Sequence, residues 1–137
     1  MDAWIWAITE GGWEWIKECL MYRGPRMSYG YSIPRFPQKE DFLVFYSDKK
    51  LYGRVVVAES GRQVTSKDIE KEPELKEWKN VMFLDGKTLR MFDKPVPIED
   101  VADQIEALKG KTGKSLTGAV GMNPKISLEE YKKIVEK

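Results

Sequence analysis

Two kinds of hydrophobic spacing divide this chain. Trp4-Ile5-Trp6-Ala7-Ile8 is apolar without interruption and rich in aromatic and β-branched side chains, the composition of a strand. Alternation puts Trp4, Trp6 and Ile8 on one face and Ala3, Ile5 and Ala7 on the other. Both faces are apolar, so this strand is expected to be central and covered on both sides. From Gly12 to Met21 the spacing becomes helical. Trp13, Ile16 and Leu20 form one stripe, Trp15, Cys19 and Tyr22 an adjacent one, and Glu14, Lys17 and Glu18 the polar face. Thr9 is suited to hydrogen-bond backbone amides as the chain enters that helix.

The later elements follow the same logic. Asp41–Tyr46 and Leu51–Ala58 read as strands joined by the turn Ser47-Asp48-Lys49-Lys50. Val81–Leu84 and Lys87–Phe92 flank Asp85-Gly86, a hairpin-turn signal. Pro95 and Pro97 are expected to interrupt the sheet. Val101, Ile105 and Leu108 fit a helix ending at Gly110, whereas Lys111 to Asn123 is Gly-rich and basic and reads as a flexible loop. Ser127-Leu128-Glu129-Glu130 is a capping box that opens a last helix with Leu128, Tyr131, Ile134 and Val135 inward. Arg23–Lys39 and Glu59–Lys79 read as loops, the second with at most one helical turn. The order predicts an α+β fold whose antiparallel strands are enough to curl into a small barrel. No repeat or boundary divides the 137 residues, a length that suits one domain.

Composition narrows the chemistry. Charged residues make up 33% but balance to a net charge of +1, so any nucleic-acid contact must rest on a local basic patch. No apolar run approaches the ~18 residues that span a membrane. The N-terminus lacks a signal-peptide pattern, and one cysteine suits a reducing compartment, so a cytoplasmic protein is expected. The chain has no histidine. That removes the commonest general base and metal ligand, so neither a metal, a cofactor nor catalytic residues are expected. Many Lys and Glu with few Asn, Gln and Cys is a composition common in thermophile proteins.

Several residues have both a chemical and a packing reading. Gly113-Lys114-Ser115 looks like the end of a phosphate-binding loop, but the required earlier glycine is Leu108 and the preceding element is not a strand. Cys19, Trp4 and Trp15 read as core. Tyr22, at the end of the first helix, and Trp78, at a loop-to-strand boundary, stand beside basic residues, where base-stacking platforms occur. Trp13 lies between the two cases. Arg23, Arg26 and Arg35 are interleaved with Tyr29, Tyr31 and Phe36, and together with Lys111 and Lys114 they are candidates for phosphate contact.

The stretch W-I-W-A-I-T, then G-W-E-W-I-K and Tyr22, resembles the opening of EVE domains, members of the PUA-like superfamily related to YTH domains. The resemblance continues at Phe42-Leu43-Val44-Phe45-Tyr46, at Gly53 and at Ile126-Ser127-Leu128-Glu129-Glu130-Tyr131, and covers most of the chain. It departs from the family where Tyr22 replaces a common Trp, Gly12 an Asn, and Ser115 a late-loop Trp. It implies a small open antiparallel β-barrel surrounded by short helices, and an aromatic cage for a flipped-out, often methylated base, with Tyr22 as one wall and Trp78 as a second. A non-catalytic reader of a methylated base is therefore expected, with N6-methyladenine in DNA ahead of modified cytosine. Such domains serve modification-dependent restriction systems, so a McrB-type GTPase or nuclease is an implied partner. Two alternatives stand beside it: a reader of N6-methyladenosine or single-stranded RNA, and a small nucleotide-processing enzyme.

Overall fold

The computed structural model describes residues 1–8 and 12–136, with backbone alone for residues 20–23. In chain order the elements are β1 (Ala3–Ala7), α1 (Gly12–Arg23), β2 (Met27–Tyr31), β3 (Phe42–Ser47), β4 (Lys50–Gln63), α2 (Ser66–Lys71), β5 (Asn80–Pro97), α3 (Gly113–Gly121), β6 (Lys125–Ile126) and α4 (Leu128–Val135). Short 3-10 turns cover Pro73–Glu77, Ile98–Asp100 and Ala102–Gln104. The six strands form one open sheet in the order β2-β5-β4-β3-β1-β6. Only β1 and β3 run parallel; the other pairs are antiparallel. The fold is thus α+β, as the pattern predicts, with an open sheet, as the resemblance implies, but the sheet is mixed. Thr9 lies outside the described residues.

β1 sits between two hydrophobic clusters, as its double-apolar pattern demands. Trp4 and Trp6 join Ile16, Leu43, Phe45, Val55 and Met82 on one face of the sheet. Ala3 and Ile5 join Val44, Leu51, Ile105 and Leu116 on the other. β3 alternates in the same register, so the parallel pair forms a wall shared by both cores. Asp41 fixes the start of that wall. It is 2% exposed, and its carboxylate accepts hydrogen bonds from Asp2 N, Gln38 N and Trp4 Nε1 at 2.9, 2.8 and 3.1 Å.

Several expectations fail for identifiable reasons. Residues 27–31 form β2 rather than loop, because Met27 and Tyr31 are buried and the strand pairs residue by residue with Asn80–Leu84. Asp85-Gly86 makes no hairpin. Lys87 N donates to Asp85 Oδ1, and the Thr88 hydroxyl donates to Asp85 O while accepting from Val56 N (2.9, 2.6 and 2.8 Å). The turn chemistry closes a bulge, and β5 continues beside β4 in one direction. Pro95 and Pro97 stay in β5 because its later half pairs only with β4, leaving an edge that tolerates a missing N–H. Val101, Ile105 and Leu108 are buried as expected, but around 3-10 turns rather than on an α-helix.

Lys111–Asn123 contains α3 instead of a flexible loop. Thr112 N donates to Ser115 Oγ and the Ser115 hydroxyl donates back to Thr112 O, closing the first turn (3.2 and 2.7 Å). Leu116 and Val120 then bury against the second cluster. The turn between β3 and β4 is as expected: Asp48 and Lys49 both take positive φ, the two-residue geometry that matches strand twist. The α4 capping box also forms, with Ser127 and Glu130 exchanging hydrogen bonds of 2.8 and 3.1 Å. Tyr131 and Ile134 face the core, whereas Val135 is largely exposed. Asp41→Ala leaves three donors without their acceptor and is expected to cost about 3 kcal/mol or more, read as a lower urea midpoint with an unchanged slope.

Candidate functional site

The region after β4 is built to present one tryptophan. Thr65 and Asp68 form a capping box that opens α2. Arg62 at the end of β4 grips Asp68 with both guanidinium nitrogens, at 2.6 and 2.8 Å, and holds that carboxyl well below the usual carboxylate range. Ser28 of β2 donates to Glu72. The next 3-10 turn buries Leu75 against Val81 and Phe83. Trp78 then emerges and lies directly on Gly30 of β2. A Cβ at Gly30 would come within 2.6 Å of Trp78 Cγ and 3.0 Å of its Nε1, so no side chain fits beneath the indole. Trp78 remains 46% exposed.

A second exposed tryptophan faces the same space from α1. Trp13 and Ile16 turn into the core, while Trp15 is 55% exposed. Trp15 and Trp78 border a cleft of about 570 Å³, within the range of small-molecule sites. Trp6 and Tyr29 lie at its base, joined by a hydrogen bond from Trp6 Nε1 to the Tyr29 hydroxyl at 3.3 Å. Asn123 reaches it from the end of α3. Its backbone is left-handed (φ 53°), and its Oδ1 accepts from Ala7 N at 2.9 Å, extending the β1 hydrogen bonding. Among the described residues its amide nitrogen has no partner. None of the described residues that line the cleft carries a formal charge. The described residues offer flat apolar surface, a few neutral hydrogen-bonding groups and no acid-base pair.

A crystal structure of a Tyr-to-Phe mutant of the ZmASCH protein from Zymomonas mobilis superposes on this chain with a TM-score of 0.57 at 13% identity, covering 99% of this chain and 98% of that one. The two chains share their fold over nearly their whole lengths. No family model and no curated protein matches the sequence.

On this sheet the expected site residues separate. Trp78 lines the cleft. Trp13 does not: it is 7% exposed, stacked on Tyr52 at 5.9 Å between ring centroids and tilted against Phe45 at 5.4 Å. Its Cη2 would meet any Cβ at Gly53, where Arg90 O also comes within 2.6 Å of that position, so the indole is locked into a narrow strand crossing. The side chains of Tyr22 and Arg23 lie outside what the structure describes. Arg26 is engaged with Glu59 at 2.7 Å and covers the Phe83 ring at 4.1 Å. That ion pair is exposed at both ends and therefore weak. Arg35 is half-buried, its guanidinium directed to Pro34 O at 3.4 Å. Lys114 stands in the first turn of α3 and Lys111 two residues before that helix, whose far end, Gly121, borders the cleft. Seven residues of rise place Lys114 about 10 Å away along the axis. The structure does not bring them to the aromatic surface.

Trp15 is the residue that sequence reading assigned wrongly, as core. The signal was present: one helical step of i, i+3 sets Trp15 about 60° from Glu18, on the polar side of α1. Its i, i+4 neighbour Cys19, half-buried against the first cluster, pointed the other way. Trp13→Ala is expected to cost about 3–5 kcal/mol and Trp15→Ala less than about 0.5, compared by chemical denaturation. Tyr31, also at the cleft, has a buried hydroxyl with no partner among the described residues. Burial pushes its phenol up from 10.0 to about 12. The neutral form therefore contributes stability in full below pH 10, and that contribution is lost as the pH rises through 12. Tyr31→Phe should match or exceed the wild-type stability at pH 8 and widen its lead between pH 10 and 12 in the same assay.

Proposed function

We propose that this chain is a non-catalytic nucleic-acid-binding module that takes a nucleobase into the cleft between Trp15 and Trp78. One observation carries the reading. Two tryptophans from opposite halves of the chain are held half-exposed around one cleft whose described lining is uncharged. Leaving such surfaces in water forgoes burial that a core would take, and an aromatic patch of this kind fits a flat ligand. A base offers a π-face to the indoles and edge groups to Asn123 and the nearby backbone. The absence of charge among the described lining residues suits a neutral base whose phosphates stay outside. Arg26 and Arg35 are near enough in sequence to β2 to serve those phosphates.

In its finer form, the base is methylated and extruded from DNA, with N6-methyladenine ahead of modified cytosine. The resemblance to EVE and YTH domains supports this form. So does the cleft's apolar character, since burying a methyl contributes roughly 0.8 kcal/mol. The module would then act as a cytoplasmic specificity domain for a restriction GTPase or nuclease. Extrusion costs a few kcal/mol, which stacking and phosphate contacts would offset.

The test is fluorescence anisotropy at fixed moderate salt. The probes are one duplex unmodified, with N6-methyladenine or with 5-methylcytosine, and one RNA strand with and without N6-methyladenosine. Tighter binding to a modified probe, reduced at least about fivefold by Trp15→Ala or Trp78→Ala, is the expected result. Binding that falls with salt but ignores both substitutions would place contact on the basic surface alone and remove the cleft from the function.

A further inference from the structure

Trp78 borders a second cleft as well as the first. This one, also about 570 Å³, lies between the segment after β2 and the end of β4, and Phe36 lines it together with Trp78. Phe36 is 40% exposed, so the two rings continue the aromatic surface away from Trp15. The polar groups here differ from those of the first cleft. Gln63 is exposed, and among the described residues its side-chain amide has no partner; a glutamine amide can pair with a base edge through both its donor and its acceptor. Lys79 is exposed and adds a positive charge, while among the described residues no acid lines the space. Arg35 lies between Pro34 and Phe36, both lining residues.

The walls of this cleft are tied to the first. Lys79 N donates to Ser32 Oγ at 3.4 Å, and Asn80 Nδ2 donates to Ile33 O at 3.2 Å. These contacts fix the segment after β2 beside the chain that carries Trp78. Gly30, beneath the indole, admits no side chain that would move it. Trp78 is therefore a rigid partition with a neutral aromatic cleft on one side and an aromatic cleft edged with positive charge on the other. A side chain inserted between neighbouring bases roughly doubles their ~3.4 Å spacing, a separation a single strand accommodates by unstacking.

Resting on the nucleic-acid reading above, we propose that the second cleft binds the nucleotide adjacent to the one in the first. Trp78 then separates two consecutive bases of a single strand, one in each cleft, Phe36 supports the second base, Gln63 meets its edge, and Lys79 meets the intervening phosphate. The site makes the protein a reader of at least a dinucleotide step rather than of an isolated base.

The test uses the full chain and tryptophan-fluorescence quenching, with adenosine monophosphate, the adenylate dinucleotide and the hexanucleotide in both ribo and deoxyribo forms. The wild type should bind the dinucleotide at least about fivefold tighter than the mononucleotide. Phe36→Ala and Gln63→Ala, both at exposed positions, should each remove much of that gain and leave mononucleotide binding unchanged. A gain that survives both substitutions overturns the second site while leaving the first intact, as does a dinucleotide that binds no better than the mononucleotide. Failure of the wild type to bind any probe overturns both readings together.

Discussion

A strand buried on both faces cannot slip by one residue, because slippage would exchange its two sets of side chains. β1 is such a strand, and the rest of the fold is arranged around it. Its indoles need one core and its small residues and isoleucine another, so the sheet must carry packing on both sides. The parallel partner β3 alternates in step. Asp41 anchors the beginning of the pair, joining the β1 backbone, the Trp4 indole and the approach to β3 through one carboxylate. Asn123 completes the other end by accepting from Ala7 N, which also brings it to the cleft. Structural support for β1 and the lining of the site thus share residues.

The aromatic side chains divide by what each one covers. Trp4, Trp6 and Trp13 fill space that the curled sheet must close, and each has ring or hydrogen-bond partners there. Trp15 and Trp78 have no such duty and remain half-exposed. Trp78 is nevertheless fixed: a capped helix, a bidentate ion pair and a small satellite cluster carry the chain to it, and Gly30 receives it. So much local structure behind an exposed ring limits the entropy it loses when a ligand stacks on it, a form of preorganisation.

Much of this was legible in the sequence, and the exceptions have physical causes. The double-apolar pattern of β1 placed it correctly between two layers, and the Ser127–Glu130 spacing marked the start of α4. β2 was hidden because Gly30 and the prolines that follow it resemble a loop, while its strand character comes from pairing with distant β5. The Asp85-Gly86 signal was real chemistry put to another use: its local bonds close a bulge, and the continuation of β4 alongside decides the direction of β5. In the site, Trp78 stood out through its charged surroundings. Trp13 and Trp15 were exchanged because helical spacing identifies stripes without saying which stripe the sheet will cover. Tyr22, the wall implied by family resemblance, lies where side chains are not described. Lys111 and Lys114 looked close to the site only while their segment was read as a loop.

The central claim is that the described tryptophans split into a ligand-facing pair and a packing set. Five tryptophans give five indole N–H signals in a two-dimensional NMR spectrum, each assignable by single substitution. On titration with a short single-stranded oligonucleotide, the Trp15 and Trp78 signals should move most, Trp6 at the base of the cleft less, and Trp4 and Trp13 least. Shifts confined to Trp4 and Trp13, or an unchanged indole spectrum while backbone signals of basic residues move, would contradict the account.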